Sequence, residues 1–208
     1  MDSDNKERVY RVGLAGNPNS GKTSIFNALT GAHRRVGNYP GVTVEKLEGS
    51  FRIGETKYQL VDLPGTYSLT SYSPEERIAQ DELLRSEFDI VIVVVDSTTL
   101  RRGLVLLAQV MEIGANPVLC LNMADEAKKA GQCLDVTQMK TLLGFPVVET
   151  VGNRRKGVDA LREAIAESAR TPIQANTRLV LGTRLQVALD KWLTTGLEDK
   201  MLHLEVEK

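Results

Sequence analysis

The 208-residue chain carries 26 Lys and Arg against 27 Asp and Glu, a formal net charge of −1, with 42% hydrophobic residues. That length suits one α/β domain with a short appendage, and partners held by charge alone, nucleic acid among them, are not implied. No run reaches the ~18 apolar residues of a membrane helix, and the polar residues 1–8 are no signal peptide. Cys120 and Cys133 form neither a metal spacing nor a disulfide framework, as expected of a soluble chain in a reducing compartment.

In chain order, short apolar runs alternate with helical patterns, which predicts a mostly parallel sheet covered on both faces. Strands are expected near 9–16, 47–54, 56–62, 89–95, 117–121 and 146–149, and helices near 22–30, 74–86, 101–113, 135–143 and 157–169. Only Gly54-Glu55-Thr56 joins the second strand to the third. That is too short for a crossover helix, so those two form a hairpin and one strand of the six runs antiparallel. The stretch 33–44 shows neither period and reads as a long loop. A boundary is expected near Arg170-Thr171-Pro172, dividing a domain at 1–170 from a tail at 171–208. In the tail, apolar residues at 181, 185, 188, 189, 192 and 193 mark one face of a helix with partner contacts.

Between the first strand and helix, Gly16-Asn17-Pro18-Asn19-Ser20-Gly21-Lys22-Thr23 fits G-x-x-x-x-G-K-[ST], with Ser24 following in the helix. Its glycines let backbone N–H groups turn onto phosphate and the helix N-terminus adds partial positive charge. Lys22 neutralises phosphate oxygens, and the Thr23 hydroxyl can ligate Mg²⁺. In the long loop, Gly41 and Val42 offer backbone contacts to the phosphate region, and Thr43 is the hydroxyl suited to close over Mg²⁺.

Asp62-Leu63-Pro64-Gly65 follows a strand end beside the phosphate loop. Asp62 is expected to reach Mg²⁺ through water, and the Gly65 N–H to meet a γ-phosphate and lose it on hydrolysis. Asn122-Met123-Ala124-Asp125 ends another apolar strand. Asp125 can accept two hydrogen bonds from the N1–H and exocyclic amine of guanine, which adenine cannot reciprocate, while Asn122 braces the pocket. That reads as GTP/GDP rather than an adenine nucleotide. A loop from Thr150 to Gly157, with Val151, Gly152 and Asn153 as its candidate contacts, offers a backbone N–H to guanine O6 or is a plain basic connection.

Together GNPNSGKT, NYPGVTVE, DLPGTYSL and NMAD resemble the cytosolic GTPase domain of the bacterial ferrous-iron transport protein B (FeoB) family, over roughly residues 9–169. The resemblance implies a Ras-like P-loop GTPase at the N-terminus of an Fe²⁺ transporter, on the cytoplasmic face of the bacterial inner membrane. The membrane-embedded region of the same natural protein would be its partner, with a homo-oligomer kept as a candidate and no nucleic acid. It further implies Mg²⁺ at Thr43 and Asp62 and K⁺ at Asn19. This chain departs from the pattern at Gly152, where such GTPases usually carry Ser or Thr, and in a tail much shorter than the family's helical domain.

Catalysis is assigned to Asn19, Lys22, Thr43 and Gly65. Thr66 stands where Ras-like enzymes often place a water-positioning Gln, so a monovalent cation held by Asn19, with carbonyls of the 34–42 loop, is expected to supply charge stabilisation; Asn19 shaping the loop's turn is the alternative. Two other functions stay open: a soluble GTPase of ribosome assembly or tRNA modification, and a nucleotide-binding module with negligible hydrolysis.

Overall fold

The structure, a computed structural model, describes residues 8–31, 33–69, 73–85, 88–132 and 134–172. Seven strands form one sheet: β1 (Val9–Gly16), β2 (Arg34–Asn38), β3 (Glu45–Ile53), β4 (Thr56–Asp62), β5 (Ile90–Asp96), β6 (Pro117–Asn122) and β7 (Val147–Glu149). Their order is β2-β3-β4-β1-β5-β6-β7. The helices are α1 (Lys22–Thr30), α2 (Pro74–Arg85), α3 (Leu100–Glu112), α4 (Ala124–Lys129), α5 (Val136–Leu143) and α6 (Val158–Arg170).

Alternation along the central strand explains the layering. Val91, Val93 and Val95 of β5 point into one buried cluster with Leu83 of α2, Leu107 and Met111 of α3 and Met139 of α5. Ile90, Ile92 and Val94 point into the other, with Phe26 and Leu29 of α1 and Leu161 and Ile165 of α6. A strand buried on both faces needs no polar side, so six consecutive β-branched residues are tolerated there. At Gly103 a Cβ would stand inside the Val95 side chain, so glycine lets α3 lie close against β5.

The hairpin expected around Gly54 is present, with Ile53 opposite Thr56. The count of six strands is corrected to seven by β2, which pairs antiparallel with β3 from Arg34 opposite Gly49 to Asn38 opposite Glu45. All five of its residues are exposed. An edge strand wet on both faces has no reason to alternate, so periodicity could not reveal it. β3 is still the one strand that runs against the others, because β2, antiparallel to β3, points the same way as β1, β4, β5, β6 and β7. The six-residue α4 was also unforeseen, being too short for a helical period.

α1 has no basic residue in its last turn. Its end carbonyls are met from elsewhere: Arg155 donates to Ala28 O at 2.9 Å and Arg162 to Leu29 O at 2.7 Å. α6 ends at Arg170, and the tail beyond 172, with its predicted helical face, lies outside the described residues. Among the described residues no helix is long and apolar enough to cross a membrane.

Candidate functional site

The C-terminal ends of β1, β4 and β6 bring three sequence motifs, Gly16–Thr23, Asp62–Gly65 and Asn122–Asp125, to one edge of the sheet, where parallel α/β folds bind ligands. Parallel pairing sets Leu14 of β1 beside Asp62 of β4, and β5 sets Asp96 beside Asn122. The loop from Gly16 to Thr23 then turns into α1. Asn19 at φ 65° and Gly21 at φ 80° are left-handed, which swings the chain around a concave backbone. Gly21 caps α1 with no side-chain hydrogen bond, and no acidic residue occupies the first turn, so the helix N–H groups are not claimed by a carboxylate. Asn17 Oδ1 and Ser20 Oγ are buried without a hydrogen-bond partner. Orphaned polar atoms, a left-handed turn and an open helix N-terminus fit a phosphate group.

Lys22 Nζ lies 2.5 Å from Asp62 Oδ1, both side chains largely buried. Burial raises the Asp62 carboxyl above its ordinary range, and Lys22, by charge and hydrogen bond, pulls it part of the way back. The lysine and the carboxylate thus neutralise each other across the cleft. Thr23 is exposed at the first turn of α1, with Ser24 half-buried behind it. Asn19 and Pro18 are exposed, and the Asn19 side chain makes no hydrogen bond among the described residues.

The Asp62–Gly65 turn is stitched to the phosphate loop by Leu63 N–H to Leu14 O at 3.0 Å and Thr66 N–H to Gly16 O at 3.2 Å. A Cβ on Gly65 would stand 3.3 Å from Pro18. Thr66 is 1% exposed and its hydroxyl donates to Ser68 O, so it is spent on the turn rather than aimed at the cleft. Gly41, Val42 and Thr43 are exposed in the turn between β2 and β3. No described contact gathers these three against the phosphate loop.

Asn122 joins the Gly16–Thr23 loop to the loop that follows β7. Its Nδ2 donates to Ser20 O at 2.9 Å, and its Oδ1 accepts from Gly152 N–H at 2.9 Å and from the Thr150 hydroxyl at 3.1 Å. Met123 adopts φ 57° as the cap of α4, turning Asp125 into that helix's first turn. Val151 is buried and bridged to Lys156, Gly152 is buried, and Asn153 is exposed. Gly152 has a steric reason: a Cβ there would meet Ile25 Cδ1 at 3.0 Å and Ser24 Cβ at 3.2 Å. Below the pocket, Cys120 Sγ lies 3.2 Å from Thr150 Oγ1, and burial pushes the thiol up to about 12, leaving it inert.

Sequence reasoning placed Thr150, Arg154 and Tyr39 within candidate loops but assigned none of them a contact of its own. Arg154 Nη1 stands 3.4 Å from Asp125 Oδ2, pairing with that carboxylate from a loop 29 positions on. Tyr39 is buried in the connection assigned to open loop. An aromatic in a run of Gly, Pro and Asn was the available signal for Tyr39; for the other two, the sequence marked their loop but not their partners Asn122 and Asp125.

The family model described as Ferrous iron transport protein B matches residues 10–165. The chain belongs to the FeoB family. The Fe(2+) transport protein A/Fe(2+) transporter FeoB fusion protein of Porphyromonas gingivalis is 44% identical over 185 residues, 88% of this chain and 22% of that protein. The crystal structure of the G domain of the T. maritima FeoB iron transporter superposes with a TM-score of 0.73 at 45% identity, covering 78% of this chain and 99% of that one. A GMPPNP form of the T. maritima cytosolic domain gives 0.76 at 45% identity, over 79% of this chain and 66% of that one. Residues 10–165 are therefore a FeoB G domain with a GTPase fold. The chain spans about a fifth of the length of the curated relatives it matches.

Proposed function

We propose that this FeoB G domain binds GTP and GDP, hydrolyses GTP to GDP and phosphate, and uses the change to regulate Fe(II) passage through a membrane-embedded region of a longer protein. The observation that carries the reading is Asn122, whose three hydrogen bonds lock an open phosphate loop to a base pocket containing Asp125. In this reading residues 1–170 are the G domain at the cytoplasmic face of the bacterial inner membrane, and 171–208 are an extension toward partners.

Gly16 to Ser24 cradle the phosphates, all but Pro18 through backbone N–H groups, and Lys22 leaves Asp62 to neutralise phosphate oxygens. Asp125 accepts from guanine in place of Arg154, and Met123, Val151, Gly152 and Asn153 line the base side. Thr23, Thr43 and Asp62 are the oxygen donors suited to Mg²⁺, a hard cation that neutralises charge on the transferred phosphoryl group. Because Thr43 is exposed, it must travel inward with Gly41 and Val42, which makes residues 34–45 a switch together with the Gly65 hinge. Asn19, with its amide oxygen free at the rim, is the residue suited to K⁺, which supplies further charge stabilisation.

GTP turnover in K⁺ and in Na⁺ tests this reading. The chain should turn over GTP and not ATP, faster in K⁺ by at least about tenfold, equivalent to ~1.4 kcal/mol of barrier. Asn19→Ala should be slow in both salts. Indifference of the parent to K⁺ would remove the cation while leaving the GTPase; absence of guanine selectivity would remove the whole reading.

A further inference from the structure

Asp62 receives a second group besides Lys22. The Tyr39 hydroxyl donates to its backbone carbonyl at 2.9 Å. Tyr39 is 3% exposed, although Pro40, Gly41, Val42 and Thr43 beside it all face solvent. Its N–H donates to Val44 O at 2.9 Å and its carbonyl accepts from Val42 N–H at 3.3 Å, so residues 39–44 close into one small loop. Lys46 Nζ stands 5.4 Å from the ring centre and pairs with Glu48 at 3.0 Å and with Glu82 of α2 at 3.4 Å. Burial first, then the charges of Glu82, Asp62 and Glu48, holds the phenol protonated and therefore a donor at every physiological pH.

Both ends of the 39–44 loop are thus tied while Thr43 is held outside. The hydroxyl bond fastens the loop to the same residue that faces Lys22, at the end of β4. Thr43 cannot swing toward the phosphate side as a rigid loop unless the Tyr39 hydroxyl releases the Asp62 carbonyl. We infer that Tyr39 is a specificity-determining residue that sets the preference between nucleoside diphosphate and triphosphate, by holding the Thr43 loop in its open position. The inference rests on the nucleotide reading above. A diphosphate leaves the loop as it stands and gains nothing from its closure, whereas a triphosphate must displace the hydroxyl bond to recruit Thr43. The cost of breaking that bond falls on the triphosphate alone.

The test is equilibrium binding of GDP and of GMPPNP, each with Mg²⁺, to the whole chain and to Tyr39→Phe, which keeps the buried ring and deletes only the hydroxyl. GMPPNP should bind about fivefold tighter to the variant, equivalent to ~1 kcal/mol, with GDP affinity unchanged within about twofold. In the nucleotide-free variant the Val42 amide should exchange with deuterium faster than in the parent. An unchanged ratio of the two affinities overturns the inference. So does an equal loss of both nucleotides with a lowered melting temperature, which would mark a packing role only. A parent that binds neither nucleotide removes the nucleotide reading itself, a failure distinct from that of Tyr39.

Discussion

Replacing Asn122 with Ala should loosen two loops that are 130 residues apart in the chain. Asn122 is 3% exposed, and its side chain satisfies the Ser20 carbonyl, the Gly152 N–H and the Thr150 hydroxyl. After truncation the Thr150 hydroxyl keeps Cys120 as a neighbour, but the Ser20 carbonyl and the Gly152 N–H lose the partner described for them. Each orphaned buried group costs about 1–3 kcal/mol, and water entering from the open cleft recovers part of it, so a net loss of about 3 kcal/mol is expected. For a domain of this size that is a fall in melting temperature of about 6–12 °C. Scanning calorimetry of nucleotide-free parent and variant measures it, with GDP titration alongside. Guanine nucleotide should bind tens of times more weakly, since the Ser20 and Gly152 backbones no longer share one anchor. A variant that melts within about 1 °C of the parent and binds GDP equally would refute the bridge as the element that organises the site.

Asp125→Asn should weaken GTP by ~2–4 kcal/mol and favour xanthine nucleotide, because the amide inverts the donor and acceptor pattern; competition binding with both nucleotides decides it. Lys22→Met removes the cation that pulls the Asp62 carboxyl down, so that carboxyl should rise further. A carboxyl raised on folding costs stability above its folded pKa, and the cost fades as pH falls toward the unfolded value. The variant's deficit in urea denaturation should therefore be larger at pH 7.5 than at pH 4.5, and an equal deficit at both would show that Asp62 is not the cause. Gly152→Val should cost about 1–3 kcal/mol through overlap with Ile25 and Ser24, visible as a lowered urea midpoint. Hydrogen exchange at residues 34–45 and 65–69 should fall on adding GMPPNP and Mg²⁺ relative to GDP; equal protection in the two states would leave no switch.

What could be read from the residues in order was local. The eight-residue loop at Gly16 predicts its own inward-turning backbone and helix start, because glycine spacing and the flanking strand and helix patterns are contained within about twenty positions. The alternating faces of β5, the hairpin at Gly54 and the end of α6 at Arg170 follow for the same reason. Tertiary structure decided what the sheet brings together from far apart. Ser20 and Asn122 are 102 residues apart, and Lys22 and Asp62 are 40. Both contacts exist because β4 and β6 end on the same edge as β1, a consequence of strand order that no local pattern contains. Strand β2 gains its shape only from hydrogen bonds to β3, having no buried face to impose a period. Tyr39 is buried where β4 ends, its hydroxyl donating to the Asp62 carbonyl, so a loop composed of turn residues acquires one anchored side chain. Polarity and period along a chain reveal which residues avoid water, and only the packed register reveals which partners let a polar one do so.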